Sequence, residues 1–539
     1  MQLERVRIQN YKCLKDVDVT FRSPAGERDF FAHFLVGVNG SGKSCFLEAL
    51  GLIFTCVMQG EPPGFPFALE YRVRRGEARV TVRPARRDGG KLRVSVTAGG
   101  KTQKLDRVPD EYLPRRIVAF SSGANHMMES ALLSAPRASL VRDLYDLAGP
   151  WGGKAEAVLR GAEREAEISR VLERYQALDT DPRVFSVDGA AARLVAPALF
   201  AVVPHFADRE LAESYFRLRD RLLRRIGGKF RPAAFSVTVD EEMLERAVTD
   251  RRNSPQFGLL AKLFRHRQPD GGGPLHTWMV RRPILSPPDA PWYGREAEGG
   301  PRMAQTAVFA LEPWEGEPER DWMWSPALSR EFDGDPMVLL NVLMAARRGN
   351  ILRDVQLAFR GEEGLLGLEA LSDGELMWLA RMGLALMSRL SGSAGTLFLF
   401  DEPDIHFNNE WNMDFVKLLR QCGETPAEAL EHEFVIATHS TLLLTDAYPE
   451  QISLFSSAGG RGVRVEETPV SPFAAQQDEL ARRLFSASAV GSYAMDRVDS
   501  LMERARTPEE LLELIEKTGP GYQRFRLYER YHELRRRQR

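Results

Sequence analysis

The stretch FFAHFLVGVNGSGKSCFLEALGLIF, Phe30 to Phe54, decides how the chain is to be read. An apolar strand pattern runs into a glycine-rich loop, Gly37 to Ser44, and leaves it in the helical pattern CFLEALGLIF. The loop satisfies G-x-x-x-x-G-K-[ST], and each residue type has a physical reason to be there. Gly37, Gly40 and Gly42 let the backbone wrap a phosphate chain, with N–H groups and a helix N-terminus turned toward negative charge; Asn39 and Ser41 belong to the same cradle. Lys43 is placed to reach β- and γ-phosphates, and the Ser44 hydroxyl to ligate Mg2+.

Far downstream, LFLFDEPDIHFNN, Leu397 to Asn409, runs large apolar residues straight into two carboxylates, Asp401 and Glu402. TLFLF reads as a fully buried parallel strand whose C-terminal end presents the acids. Alone, such a pair suits a helix cap, a glycosidase or a metal-dependent nuclease as well as a nucleotide hydrolase. Beside GVNGSGKS it fits the acidic strand of a phosphate-loop enzyme, in which Asp401 helps hold Mg2+ and Glu402 polarises the attacking water. Two more segments have a suitable order. In LSDGELMWLARMGLALM, Ser372 and Gly374 precede an apolar helix, an arrangement suited to gripping a γ-phosphate. HEFVIATHS gives a further buried strand ending at Thr438 and His439, whose ring could donate to the γ-phosphate.

With these four segments the sequence resembles the ABC-type ATPase heads of the SMC, RecF and OLD families. GVNGSGKS looks like their Walker A, LSDGE like their signature, LFLFDE like Walker B, and ATHS like the switch-histidine segment. The resemblance implies ATP and Mg2+ as cofactors and two heads closing on two ATP molecules, with Ser372 and Gly374 acting on the nucleotide of a second copy. Lys43, Glu402 and His439 would be the catalytic side chains, and Ser44 and Asp401 the metal ligands. Asp373 departs from the usual small residue and adds negative charge near the γ-phosphate. His406, Phe407, Asn408 and Asn409 replace the common His-Leu-His-Pro continuation. This variant, with VAFSSGANHMMES at 118–130, looks most like the RecF-like ATPases found with restriction and antiphage defence systems, such as the ATPase subunits of Septu and PARIS. SSGAN then stands for their glutamine loop.

The fold expected is α/β: a two-lobed ABC-type P-loop ATPase head with a mixed sheet, interrupted by a mainly helical insertion and followed by a helical tail. Residues 1–131 form the N-terminal part of the head, 132–325 the insertion, 326–474 the C-terminal part of the head, and 475–539 the tail. Within the insertion, helical patterns lie at 155–178 and 208–226 and a strand at 233–239, with a Gly/Pro-rich break at 268–276 and a loop-rich stretch at 283–325. No heptad persists long enough for an SMC-type rod. In the tail, Thr507 reads as an N-cap and Glu510 as its capping-box partner.

At 539 residues, 43% hydrophobic and 27% charged, with a formal net charge of -2, the composition is that of an ordinary soluble protein. Cys13, Cys45, Cys56 and Cys422 are scattered, with neither zinc-site spacing nor disulfide density, so a reduced cytoplasmic setting is expected. The first residues do not read as a secretory signal, and no apolar run reaches membrane-spanning length. Arginines cluster at RVRRGEARVTVRPARR, FRLRDRLLRRIGGKFR and ELRRRQR. They suit a phosphate-tracking groove, but interspersed acids favour solvated, internally paired faces.

The leading reading is therefore a nucleotide-driven switch that hydrolyses ATP as a homodimer or higher homo-oligomer. It would serve a defence system whose effector, a nuclease or toxin, is a separate protein, with nucleic acid as a further candidate ligand and no membrane partner. The alternatives are a RecF-like repair or recombination ATPase that binds DNA, a slowly hydrolysing scaffold, and, weakest, a nuclease using Asp401 and Glu402.

Overall fold

A computed structural model of the chain describes residues 1–24, 31–75, 78–121, 127–134, 165–171, 183–206, 209–226, 231–249, 255–265, 304–311, 329–362, 364–390, 395–423, 432–458, 462–485 and 491–537. The chain opens with the hairpin β1 (Gln2–Tyr11) and β2 (Leu14–Thr20). Val6, Ile8, Val17 and Val19 are buried on one face, and Arg5, Arg7, Asp16 and Asp18 point outward, the period-two alternation of a half-buried antiparallel sheet. Asn10 and Lys12 take positive φ at the turn.

Strand β3 (Phe31–Val36) leads through the glycine loop into helix α1 (Lys43–Met58). Strands β4 (Phe67–Arg75), β5 (Ala78–Arg86), β6 (Arg93–Ala98) and β7 (Lys101–Leu105) then extend the hairpin into an antiparallel sheet ordered β2-β1-β4-β5-β6-β7. Strands β8 (Arg116–Ser121) and β9 (Val184–Val187), helix α2 (Arg209–Arg225) and strands β10 (Arg231–Asp240) and β11 (Ala304–Ala310) follow. After them come β12 (Leu352–Gly361), β13 (Gly364–Gly367), helix α3 (Asp373–Ser388), β14 (Thr396–Asp401), helix α4 (Asn409–Gly423), β15 (Glu433–Thr438), β16 (Ile452–Ser457) and β17 (Val463–Glu467).

The central sheet has seven strands in the order β17-β16-β3-β15-β14-β8-β9, all parallel except β17. Its middle strands are buried and mostly apolar because both faces are covered, and Phe398 on β14 stacks on Phe434 of β15 with centroids 4.7 Å apart. Helix α1 is buried along its whole length apart from Ser44 and Cys45. It shares one hydrophobic core with the six-stranded and the seven-stranded sheets, which is why its sequence is apolar on every side.

A four-stranded antiparallel sheet, β11-β10-β12-β13, uses residues from both sides of position 325. Within 283–325, read from sequence as loop-rich, AQTAVFA forms β11. Phe309 stacks on Phe235 of β10 at 5.0 Å, and this pairing outweighs the flanking prolines and glycines. The strand and helix expected near 233–239 and 208–226 are present as β10 and α2. Of the helix expected at 155–178 only 165–171 is described, and it is helical; the break at 268–276 lies outside the described residues.

Residues 469–539 form a separate compact unit. Its helices Ser492–Arg504, Pro508–Lys517 and Tyr522–Arg537 gather around Leu511, Ile515 and Leu527. Thr507 caps the second of these with Glu510 completing the capping box.

Candidate active site at the C-terminal edge of the parallel strands

Open parallel sheets bind ligands beyond the carboxyl ends of their strands, and the pairing register here brings several such ends level. Val36 of β3 stands opposite Thr438 of β15, and Asp401 of β14 opposite Ala437 of β15 and Ser121 of β8. The glycine loop and α1 continue from β3. Gly37 is obligatory: a Cβ there would lie 2.2 Å from the Phe455 carbonyl oxygen and 2.7 Å from Ser41 Oγ. Gly42, at φ 97°, begins the helix in a left-handed conformation that side chains resist. Asn39 and Gly40 are exposed at the tip of the loop.

The Lys43 ammonium is buried and donates to the carbonyls of Gly37 at 2.8 Å and Val38 at 3.2 Å. Burial lowers its pKa, and the carboxylates of Glu402, Asp401 and Asp404 oppose that shift. Ser41 is buried, and its hydroxyl oxygen has no hydrogen-bond partner among the described residues, as suits a donor meant for a phosphate. Ser44 Oγ donates to Asp401 Oδ1 at 2.9 Å. Burial pushes the Asp401 carboxyl up to about 6; the Ser44 hydrogen bond opposes this, the Glu402 charge adds to it, and Lys43 again opposes it. No cluster of three or more His, Cys, Asp or Glu side chains suited to a metal occurs among the described residues. Ser44 with one carboxylate fits Mg2+, which takes few protein ligands and completes its shell with phosphates and water.

Glu402 is at φ 49°, a left-handed conformation costing on the order of 1 kcal/mol for a residue with a side chain. Its N–H donates to the Ala437 carbonyl at 2.9 Å, which ties the turn to the neighbouring strand. Glu402 Oε1 lies 3.4 Å from His439 Nδ1. Thr438 Oγ1 donates to Asp404 Oδ1 at 2.8 Å and accepts from the Ser440 N–H at 2.9 Å, so the segment after β15 and the turn after β14 hold each other. Lys43, Ser44, Asp401, Glu402 and His439 are thus assembled at the ends of three adjacent strands.

Residues 1–60 match the family model of an AAA ATPase domain. That segment carries β1 to β3, the glycine loop and α1. No curated protein matches the chain. Among solved structures, the SMC head domain from Thermotoga maritima is similar at a TM-score of 0.31 and 11% sequence identity, over 87% of this chain and 100% of that one.

Ser372 and Gly374 contact a different neighbourhood. Ser372 is the N-cap of α3: its hydroxyl accepts from the Glu375 N–H, and the Glu375 carboxylate accepts from the Ser372 N–H at 2.7 Å. Gly374 packs so tightly that a Cβ would stand 2.6 Å from the His406 carbonyl oxygen. One turn of helix further on, Trp378 is fully buried against Trp411 of α4, with ring centroids 5.4 Å apart.

Arg381, within an apolar run of α3, was not singled out from sequence. It is fully buried, donates to the carbonyls of Pro403 and Ile405, and lies between the rings of Phe120 and Phe407 at 4.5 and 4.6 Å. Burial pushes it down to about 9, so it stays charged near neutral pH. The signal was present in WLARMGL: a single cation within the apolar stretch of the helix.

Several arginines of the first two clusters, and Arg5 and Arg7 outside them, are paired within the chain. Arg225 on α2 binds Glu410 and Asp414 of α4, and Arg221 donates to Gln421 at 2.9 Å. On the outer face of the six-stranded sheet Arg5 pairs with Asp18, Arg7 with Asp16, Arg83 with Glu70 and Arg72 with Glu4. Of the SSGAN segment only Ser121 is described, at the C-terminal end of β8. No described helix is long and apolar enough to cross a membrane.

Proposed function

We propose that the chain binds ATP and hydrolyses it, using the cycle as a conformational switch. The observation that carries this reading is the meeting of Lys43, Ser44, Asp401, Glu402 and His439 at adjacent parallel strand ends beside a glycine loop that opens a helix. The loop N–H groups and Lys43 neutralise the phosphates, releasing the ammonium from the Gly37 and Val38 carbonyls it now holds. Ser44 and Asp401 would hold Mg2+, which supplies charge neutralisation between the phosphates. Glu402 orients a water for in-line attack and takes its proton, and His439 supports that carboxylate and donates toward the charge developing on the γ-phosphate.

Ser372 and Gly374, anchored in the capping box of α3, complete the site of a second copy when two heads close. In this reading 132–325 is an insertion in the head, and the chain works as the ATPase subunit of a defence system whose effector is a separate protein. Light scattering on Glu402→Gln with and without ATP and Mg2+, beside wild-type turnover, tests it. A larger assembly formed only with ATP, together with hydrolysis by the wild type, supports the switch. Turnover unchanged in Glu402→Gln would sink the assignment of the catalytic base, and an assembly indifferent to ATP would sink closure. A nuclease or toxin that co-purifies from the native host in an ATP-dependent manner supports the defence role, and its absence from such a preparation counts against it.

A further inference from the structure

The last helix, Tyr522–Arg537, is held to its own unit by one side. Leu527 is buried with Leu511 and Ile515, and Tyr531 and Leu534 pack on the same core. Beside that side the arginines have acids: Arg526 pairs with Asp499 at 2.7 Å and Arg530 with Glu533 at 3.0 Å. At about 100° per residue, the opposite side carries Arg524, Phe525, Tyr528, His532, Arg535 and Arg536 within an arc of about 120°. No acid lies inside that arc, since Glu529 and Glu533 fall beyond its edge. Phe525 is 56% exposed and Tyr528 40%. Arg535 donates to Tyr531 Oη at 3.3 Å, and none of the three arginines on the arc forms an ion pair among the described residues. A helix C-terminus favours cations in its last turn, which accounts for Arg535 and Arg536 but not for aromatic rings left in water beside them.

We propose that this side of the last helix binds single-stranded nucleic acid through its bases and phosphates, without regard to the sugar. Phe525 and Tyr528 stack on bases, and Arg524, Arg535 and Arg536 neutralise phosphates. The inference concerns the tail unit alone and does not rest on the ATP reading given above.

Charge complementarity and the kind of apolar side chain both select this occupant. A second copy set face to face would bring arginine against arginine with no acid between them, which like-charge repulsion opposes. An aliphatic side chain, the ordinary anchor of a helix docked in an apolar protein groove, is missing from the arc, where the apolar side chains are aromatic. Rings at 525, 528 and 532 recur about 4.5 and 6 Å apart along the axis at about 1.5 Å per residue, so an extended strand can lay unstacked bases on them while its phosphates meet the guanidinium groups on either side. Every base has a π-face, and the arc holds no carboxylate or carboxamide to single out a base edge or a ribose hydroxyl.

Fluorescence anisotropy of the full chain with a labelled oligothymidine of about 20 nucleotides, without ATP, tests this. Wild type should bind it, should bind oligouridine within about threefold of the same affinity, and should bind a duplex of equal length more weakly, because paired bases are already stacked on one another. Phe525→Ala with Tyr528→Ala should weaken binding by roughly tenfold or more. Arg535→Gln with Arg536→Gln should lower the slope of log affinity against log salt by about 1.4, two phosphate contacts of a single strand. These four side chains are outside the small core of the unit, so both double variants should melt as wild type does. No binding at low salt, binding that the ring variant leaves unchanged, or a preference for duplex overturns the proposal. A homodimer of wild type that the ring variant dissolves would give the face to a second copy and overturn it equally.

Discussion

Ser44 and Asp401 meet through a 2.9 Å hydrogen bond although the sequence separates them by most of the chain. The glycine loop and the strand that carries the acids therefore share one contact, at the place proposed for Mg2+. Ser44→Ala and Asp401→Asn should each lower ATP turnover by roughly 10²-fold, and the double variant should fall little further, because both remove the same site. Calorimetric titration of ATP with and without Mg2+ checks it. Wild-type affinity that ignores Mg2+ would refute the assignment.

His439 stands 3.4 Å from Glu402, beyond the strand that anchors the Glu402 N–H. His439→Ala should slow single-turnover hydrolysis by roughly 10²-fold while ATP affinity changes little, since its donation is worth most as charge develops on the γ-phosphate. A loss of affinity equal to the loss of rate would place the ring in ground-state binding instead.

Arg381 joins α3, which Ser372 caps, to the turn that follows the acid pair. Arg381→Met removes its hydrogen bonds to the Pro403 and Ile405 carbonyls and its contact with two aromatic rings. It should destabilise the protein by about 3 kcal/mol in urea melts, and Arg381→Lys should restore only part of that, because an ammonium lacks the planar fork. Trp378 and Trp411, packed together beside it, give the fluorescence readout.

His33 and His432 are buried and held down to about 3 by burial, which keeps both rings neutral in the folded state. Above the unfolded value near 6.5 neither state takes up a proton there, so stability is unaffected. Between about 6.5 and 3 only the unfolded chain binds the proton, and stability falls as pH falls, by up to about 1.4 kcal/mol per pH unit for each ring. Melts of His432→Asn from pH 7 to 4 should show a shallower decline than wild type.

The parts legible in the sequence were those whose chemistry is local. The loop Gly37–Ser44, the buried strand ending in Asp401 and Glu402, the cap at Ser372 and the capping box at Thr507 each announce themselves within a few residues. What escaped depends on partners distant in the chain. Cys13 lies against the glycine loop at Gly42 because a hairpin turn folds over α1, and linear spacing could not show that. For the arginines of α2 the sequence favours a solvated, paired face over a nucleic-acid stripe, but that Arg225 pairs with Glu410 and Asp414 of α4 depends on the fold. Strand β11 is hidden among prolines and glycines because its pairing with β10 decides its conformation.

The strand order of the central sheet also bears on how the protein is made. β3 is flanked by β15 and β16, and β8 leans on β14, so two early strands leave the ribosome long before the strands that cover their edges. The apolar helix α1 emerges in the same interval, without the central sheet complete beneath it. Such a nascent chain exposes sticky edges for the time needed to synthesise everything up to Ser457, and its folding is slow because the decisive pairings are the most distant. Chaperone supply during translation, more than the stability of the finished fold, should set the yield of active protein. A chain cut before β14 should be recovered only as aggregate.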